Sequence, residues 1–385
     1  MELKHKSFFI LVAILIGIGI GIFVWKFLSP ALGRGIFYYQ VNNDKADLFL
    51  IKNGNSKKVV SVSAREIDPG DFRPPKRSYL SNNRQKMVYF RGVGEVPVDG
   101  ISENQNIVIS RIIYKPTLVE FKNGKEKEIN QPMDSADIVF SPNDKKIAWI
   151  KQVESITYEQ IEKSGVKREV WISDIDGENA ELLIGFDENL VLLKRWVGDY
   201  IYFQGLWDMN MKSIGRINTK NRQVDYVVPR GCDNLLENCQ NIEFSPAGNK
   251  FLYEIVGKKD DKDITELYLG DFDKKEFLAV LTTDQIGNRL WADEGNRFFY
   301  TEQTADREGG VVETIHLVDI ENQTDDVLYK GNYIGELTLN AASGYLYFLE
   351  KQKDGENFNL TKLDLKTQKA EIILTENYNK ILLVQ

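Results

Sequence analysis

A short apolar and aromatic run recurs along the chain. It reads IFYYQ from Ile36, MVYFR from Met87, IAWIK from Ile147, YIYFQ from Tyr200, FLYEI from Phe251, FFYTE from Phe298 and YLYFL from Tyr345. The runs start about 47 to 60 residues apart, a spacing typical of repeat architectures. Each run is about five residues long, too short for a helix, and is bounded by turn residues. This predicts strands buried on both faces.

Each run has companions. A second strand follows, most often with apolar and polar residues alternating: DLFLIK from Asp47, TLVEFK from Thr117, EVWISDI from Glu169, SIGRINT from Ser213, ELYLGDF from Glu266, TIHLVDI from Thr314 and LTKLDL from Leu360. A third comes after a polar turn, most of these turns being Gly, Asn and Asp chemistry suited to hairpins. A strand also precedes every run but the first: RSYLS at Arg77, DIVFS at Asp137, VLLKRW at Val191, NIEFS at Asn241, NRLWA at Asn288 and GELTL at Gly335. The missing strand is supplied at the other end of the chain, where Ile381 to Gln385 reads ILLVQ. The fold class expected is therefore all-β. It is a seven-bladed β-propeller over residues 35–385, closed by the C-terminal strand, with about 50 residues per blade. Stacking is obligatory, because a four-stranded sheet that is apolar on both faces cannot stand alone. An open β-solenoid is the alternative, but it would not end on a strand that completes its first unit.

Three units carry a more specific signature. DIVFSPNDKKIAWIKQ from Asp137 with REVWISDIDGENAELLI from Arg168 resembles the TolB-type propeller repeat. That repeat has an apolar strand, a Ser-Pro-Asp-Gly-Lys turn, a strand, and a second hairpin with a D-x-D-G turn. NIEFSPAGNKFLYEI with ELYLGDFDKKEFLAVL is a second copy, and LWADEGNRFFYTE with TIHLVDIENQTDDVLY a degraded third. In this turn Ser141 or Ser245 ends the inner strand and Pro142 or Pro246 fixes φ. Asp144 or Gly248 then tolerates the left-handed position. TolB also has a small α/β domain before its propeller, for which this chain leaves no room. The resemblance therefore implies the ring, and not membership in the same envelope machinery. The same repeat caps prolyl-oligopeptidase-like peptidases, but no G-x-S-x-G nucleophile elbow is present here.

The N-terminal segment has a different pattern. Ser7 to Trp25 runs without a charge and spans about 28 Å as a helix, close to a bilayer core. The expected layout is a cytoplasmic tail over 1–6, a transmembrane signal anchor over 7–26 and a linker over 27–34. The propeller then lies on the extracytoplasmic side of the cell membrane as a single-pass protein. A cleaved signal peptide is the competing reading, with Ser29-Pro30-Ala31 as its small residues. The apolar stretch is longer than the ~7–15 residues of a signal core. Gly17 and Gly21 form a G-x-x-x-G pair, although Gly is common in membrane helices generally.

Composition narrows the function classes. Asp and Glu number 57 against 49 Lys and Arg, for a net charge of −8. Lys4, Lys6, Lys26 and Arg34 lie in the first 34 residues with only Glu2, so the ring is more acidic than the whole chain. That argues against nucleic acid as a partner. With 43 Phe, Tyr and Trp in all (20 Phe, 17 Tyr and 6 Trp), disorder is excluded. There are two His, His5 and His316, and two Cys, Cys232 and Cys239. Such scarcity lowers the expectation of triad or metal chemistry, and no cofactor or metal site is assigned. Cys232 and Cys239 form a candidate loop disulfide if the ring is extracytoplasmic, with two free thiols as the alternative. Asp174, Asp176 and Asn179 have partial Ca²⁺-loop spacing but no later bidentate Glu, so a hairpin turn is the reading. His316 alternates with Ile315 and Leu317 in a strand, which suits a structural role.

In a propeller the hairpins between second and third strands share one face with the blade-to-blade connections. The longest segments fall there: Ser63 to Lys76, Gly92 to Pro116, Val153 to Arg168, Pro229 to Gln240, Val256 to Thr265 and Thr304 to Glu313. Either they are tolerated insertions or they form a recognition surface. The expected function is a membrane-anchored, non-enzymatic scaffold binding a protein, a peptide or an envelope glycan on that long-loop face. The alternative is a propeller enzyme, a glycan or peptide hydrolase or lyase using carboxylates in the central channel.

Overall fold

The computed structural model describes residues 35–384 apart from 53–54, 64, 69–70, 74–77, 98–109, 132–137, 153–167, 187–189, 208–209, 229–237, 260–261, 284, 306–310, 354 and 378–379. Residues 1–34, which hold the expected tail, anchor and linker, lie outside the described residues. Among the described residues no helix is long and apolar enough to cross a membrane.

Seven four-stranded antiparallel sheets follow one another along the chain, with one extra two-stranded hairpin between the first two. The ring closes as expected: Ile381–Val384 pairs antiparallel with Ile36–Asn42 as the innermost strand of the first blade. Ile381, Leu383 and Val384 are all buried.

The core lies between blades rather than within them. Seven buried apolar clusters each join two neighbouring blades, so every blade-to-blade interface has one. Phe37 and Tyr39 of blade one meet Met87 and Tyr89 of blade two, and Tyr347 and Leu349 of blade seven meet Ile36 and Tyr38. Burying a large apolar side chain stabilises by about 1.5–3 kcal/mol. The recurrent aromatic run is thus the row that each blade inserts between its neighbours.

The turn between the first and second strands has one geometry in several blades. The Asp144 N–H donates to the Ser141 carbonyl at 2.8 Å, and the Gly248 N–H to the Ser245 carbonyl at 2.9 Å. The hydroxyl of Ser141 accepts from the Lys146 N–H at 2.9 Å, and that of Ser245 from the Lys250 N–H at 3.3 Å. Pro142 and Pro246 occupy the turn position after the serine. Asp144 (φ 55°) and Gly248 (φ 82°) are left-handed. Blade two, recognisable in sequence only by spacing, forms the same turn with Ser81 and a left-handed Arg84 (φ 53°). Arg84 also donates to the Gly35 carbonyl at 2.6 Å, which places the start of the ring on this short-hairpin face.

On the opposite face the expected loops are partly strand. The blade-two hairpin extends through Lys86–Pro97 and Ser110–Glu120, and the blade-five hairpin through Lys250–Lys259 and Lys262–Asp271. Arg65–Asp68 and Asp71–Arg73 form the two-stranded hairpin. Residues 153–167 and 229–237 lie outside the described residues.

Candidate central-cavity site

The inner strands line the channel, and four consecutive ones are irregular. In blades four to seven each inner strand carries one extra residue relative to its partner: Lys194 in Leu190–Val197, a step at Asn241 to Ile242 in Asn238–Phe244, a step at Gly287 to Asn288 in Ile286–Trp291, and Glu336 in Ile334–Asn340. A β-bulge of this kind turns a side chain away from the regular alternation. Asn241 (φ 57°) and Glu336 (φ 46°) are left-handed although neither is glycine. The polar groups at these bulges stitch neighbouring blades together. Asn288 Nδ2 donates to the Ile334 carbonyl at 3.1 Å, Arg289 Nη2 to the Asn241 carbonyl at 3.2 Å, and the Leu383 N–H to Glu336 Oε2 at 2.8 Å.

A cavity of about 270 Å³ lies where the inner strands of blades two to five end. Its wall includes Tyr79, Phe140, Lys194, Arg195, Trp196 and Glu243, and it reaches Asn82 in the blade-two turn. It therefore extends toward the short-hairpin face and not the long-loop face expected to carry recognition.

The charges of this wall come from two neighbouring inner strands. Register places Arg195 opposite Tyr202 and Glu243 opposite Leu252, so each sits one residue before the aromatic that closes its strand, Trp196 or Phe244. Arg195 Nη1 donates to the Phe244 carbonyl at 3.2 Å, crossing from blade four to blade five. Glu243 is surrounded by protein on most sides, and its carboxyl group accepts no hydrogen bond and makes no ion pair among the described residues. Burial pushes its pKa up, against the opposing pull of Arg195, Arg289 and Lys194. Burial likewise lowers the pKa of Arg195, partly offset by Glu243 and Glu294. Arg289 is brought down to about 10 by burial, with Glu243 opposing. Arg289 is itself ion-paired with Glu254, whose other oxygen accepts from Asn241 Nδ2 at 2.8 Å. Glu254 is therefore committed, and Glu243 is the one carboxylate among the described residues of the cavity wall.

The residues singled out from sequence lie elsewhere. Ser141, Pro142, Asp144, Ser245, Pro246 and Gly248 build the short turns. Asp144 does more than tolerate its backbone conformation. Its carboxylate accepts from the Asn82 N–H at 2.7 Å, Asn82 Nδ2 at 2.9 Å and the Asn83 N–H at 2.8 Å, tying blade three to blade two. Asp174, Asp176 and Asn179 form a hairpin turn: Asn179 Nδ2 donates to Asp174 at 2.7 Å, and Asp176 pairs with Lys127 at 2.9 Å, which lowers its pKa. His316 is buried in blade six, hydrogen-bonded to Thr314 at 2.8 Å and Asp325 at 3.0 Å and stacked on Tyr300. It is not on the cavity wall. Cys232 lies outside the described residues, as does the side chain of Cys239. Among the described residues no three His, Cys, Asp or Glu side chains gather as a metal site.

Sequence reasoning missed Lys194, Arg195 and Glu243. The available signal was the charge placed just before the closing aromatic of an otherwise apolar inner strand, in KRW and in IEF.

No protein-family model matches the chain, and no curated protein matches it. Solved structures do match. An oligogalacturonate lyase from Vibrio parahaemolyticus is similar over 82% of this chain and 88% of its own, at 9% identity and a TM-score of 0.55. A prolyl endopeptidase is similar over 92% of this chain, at 10% identity and a TM-score of 0.59. This chain spans 49% of that peptidase, about half its length. TolB from Acinetobacter baumannii is similar over 89% of this chain and 79% of its own, at 11% identity and a TM-score of 0.44. The likeness is one of fold. The chain is a seven-bladed β-propeller.

The expectation of a non-enzymatic scaffold, drawn from scarce His and Cys, is overturned by this likeness: the lyase and the endopeptidase that share the fold are enzymes. The inference failed because composition counts residue types over the whole chain. Chemistry depends on which few side chains the ring brings to its centre.

Proposed function

We propose that the chain is a propeller enzyme that cleaves a glycan or a peptide in its central cavity, with Glu243 as the proton-transferring group. The carrying observation is Glu243 itself: a half-buried carboxyl group without a hydrogen-bond or ion-pair partner among the described residues, on a cavity wall beside Arg195. A carboxyl group whose pKa is raised by burial can hold a proton at a pH where ordinary carboxylates cannot, which suits a general acid or base. Fully committed structural carboxylates such as Asp144 and Glu254 have no such freedom. Among the described residues the cavity wall carries one carboxylate, Glu243. Its chemistry is proton transfer by Glu243 next to a fixed guanidinium that stabilises developing negative charge. The reading keeps the expected location of the ring, on the extracytoplasmic side of a membrane anchored through residues 7–26.

The test is turnover of a library of labelled oligosaccharides and peptides by the full chain and by Glu243→Gln. The variant should lose about 10²–10⁴-fold in rate on whichever member is cleaved, at an unchanged unfolding midpoint. Full activity in Glu243→Gln, or no cleavage of any member, would overturn the proposal.

A further inference from the structure

We infer that the central cavity seats a carboxylate group of its ligand, held by Lys194 and Arg195. This deepens the reading of the cavity as the reacting site and names the ligand chemistry. The inner strand of blade four is bulged between Leu193 and Arg195, and Lys194 is the extra residue. Lys194 and Arg195 both line the cavity.

Neither cation makes an ion pair among the described residues, although Glu243 and Glu294 are near enough to act on Arg195. Lys194 is exposed and makes no hydrogen bond or ion pair among the described residues. The guanidinium of Arg195 makes one hydrogen bond there, to the Phe244 carbonyl, and no ion pair. Arg289 is different, because Glu254 already pairs with it. Among its described residues the wall thus carries two cations outside any ion pair and one carboxyl, Glu243, in a chain whose net charge is −8. An acidic protein that keeps two cations unpaired at the end of its channel favours an anion there, and a guanidinium fork with an adjacent ammonium matches a carboxylate's two oxygens. Tyr79, Phe140 and Trp196 supply an apolar flank to the same space. The volume, about 270 Å³, lies just below the ~300–1,000 Å³ that holds drug-sized ligands. It suits one carboxylate-bearing unit of a longer ligand.

The experiment uses calorimetric titration of the full chain with two matched pairs. One is galacturonate against galactose, and the other is N-acetylalanine against N-acetylalaninamide. At least one acidic member should bind about tenfold or more tightly than its neutral match, the pair that does so identifying whether the carboxylate is that of a sugar or of a peptide end. Lys194→Gln should weaken that binding about tenfold, the loss of one charge-assisted contact, and added salt should weaken it further. Lys194 is exposed, so this variant should fold, and Arg195→Lys provides a second that keeps the charge but loses the fork. Glu243→Gln should bind the acidic ligand at least as well as the native chain while losing turnover. Charge-selective binding with unimpaired Glu243→Gln turnover would sink the enzymatic assignment alone. Equal binding within both pairs, or wild-type affinity in Lys194→Gln, would overturn the carboxylate inference.

Discussion

Replacing Asp144 by glycine separates two roles that one residue carries. The backbone at this turn is left-handed (φ 55°), and the corresponding turn residue in blade five is Gly248 (φ 82°). On turn geometry alone, Asp144→Gly would be neutral or mildly favourable, because glycine adopts this conformation without steric cost. The structure says otherwise. The Asp144 carboxylate is buried and accepts three hydrogen bonds, at 2.7, 2.9 and 2.8 Å, from Asn82 and Asn83 of the preceding blade. Hydrogen bonds to a charged acceptor contribute about 1.5–3 kcal/mol each when removed singly. These three share one carboxylate, and Asn82 and Asn83 are exposed enough for water to replace part of what is lost. A net cost of about 2–3 kcal/mol follows. Urea unfolding followed by tryptophan fluorescence is suitable, since Trp149 and Trp171 both lie in blade three. Asp144→Asn is the companion variant: it keeps the size and left-handed tolerance but presents an NH₂ where an N–H donor needs an acceptor. Both should shift the midpoint downward. A midpoint for Asp144→Gly at or above that of the native chain would show that the inter-blade contacts contribute nothing and that only the turn conformation matters.

Asp293 gives a pH-dependent prediction: burial alone would raise its pKa, but the Arg297 side chain and the backbone N–H groups of Asn296, Arg297 and Gly295 bring it down to about 2. A carboxyl depressed in the folded state stabilises fully above its unfolded value, near ~3.9, and loses that contribution as pH falls toward about 2. Asp293→Asn should therefore flatten the stability profile between those limits, and an unchanged profile would refute it. Removing residues 381–385 takes away the buried Ile381, Leu383 and Val384, opens the edge of Ile36–Asn42 and leaves Glu336 without the Leu383 N–H. At about 1.5–3 kcal/mol per buried side chain, the shortened chain should lose cooperative unfolding and become protease-sensitive; native-like resistance would count against ring closure as a source of stability. Gly270→Ala would drive a methyl group into the Phe251 ring, whereas Gly185→Ala enters open space. The first should cost about 1–3 kcal/mol and the second lie within about 0.5 kcal/mol, measured by thermal unfolding, and equal effects would contradict the packing described.

The sequence by itself determined the ring. A five-residue run buried on both faces can persist only in a sheet covered on both sides, so its recurrence at a near-constant spacing already required stacked blades. The orphan ILLVQ had one partnerless edge to join. Local turn chemistry was equally legible, since Ser141, Pro142 and Asp144 act through their own backbone. What tertiary structure decided was everything that depends on neighbours distant in the chain. Asp144 became an inter-blade clamp because ring closure sets the Asn82 and Asn83 N–H groups against it. Lys194, Arg195 and Glu243 share one cavity because ring closure sets side by side inner strands about 50 residues apart, both of them bulged in a way a period-two pattern does not show. His316, whose alternation with Ile315 and Leu317 already suits a structural role, is buried against Tyr300, Thr314 and Asp325. Hydrophobic periodicity reports which face of a strand is covered. It carries no information on which charges from separate strands meet, because that depends on ring closure and not on the strand's own alternation.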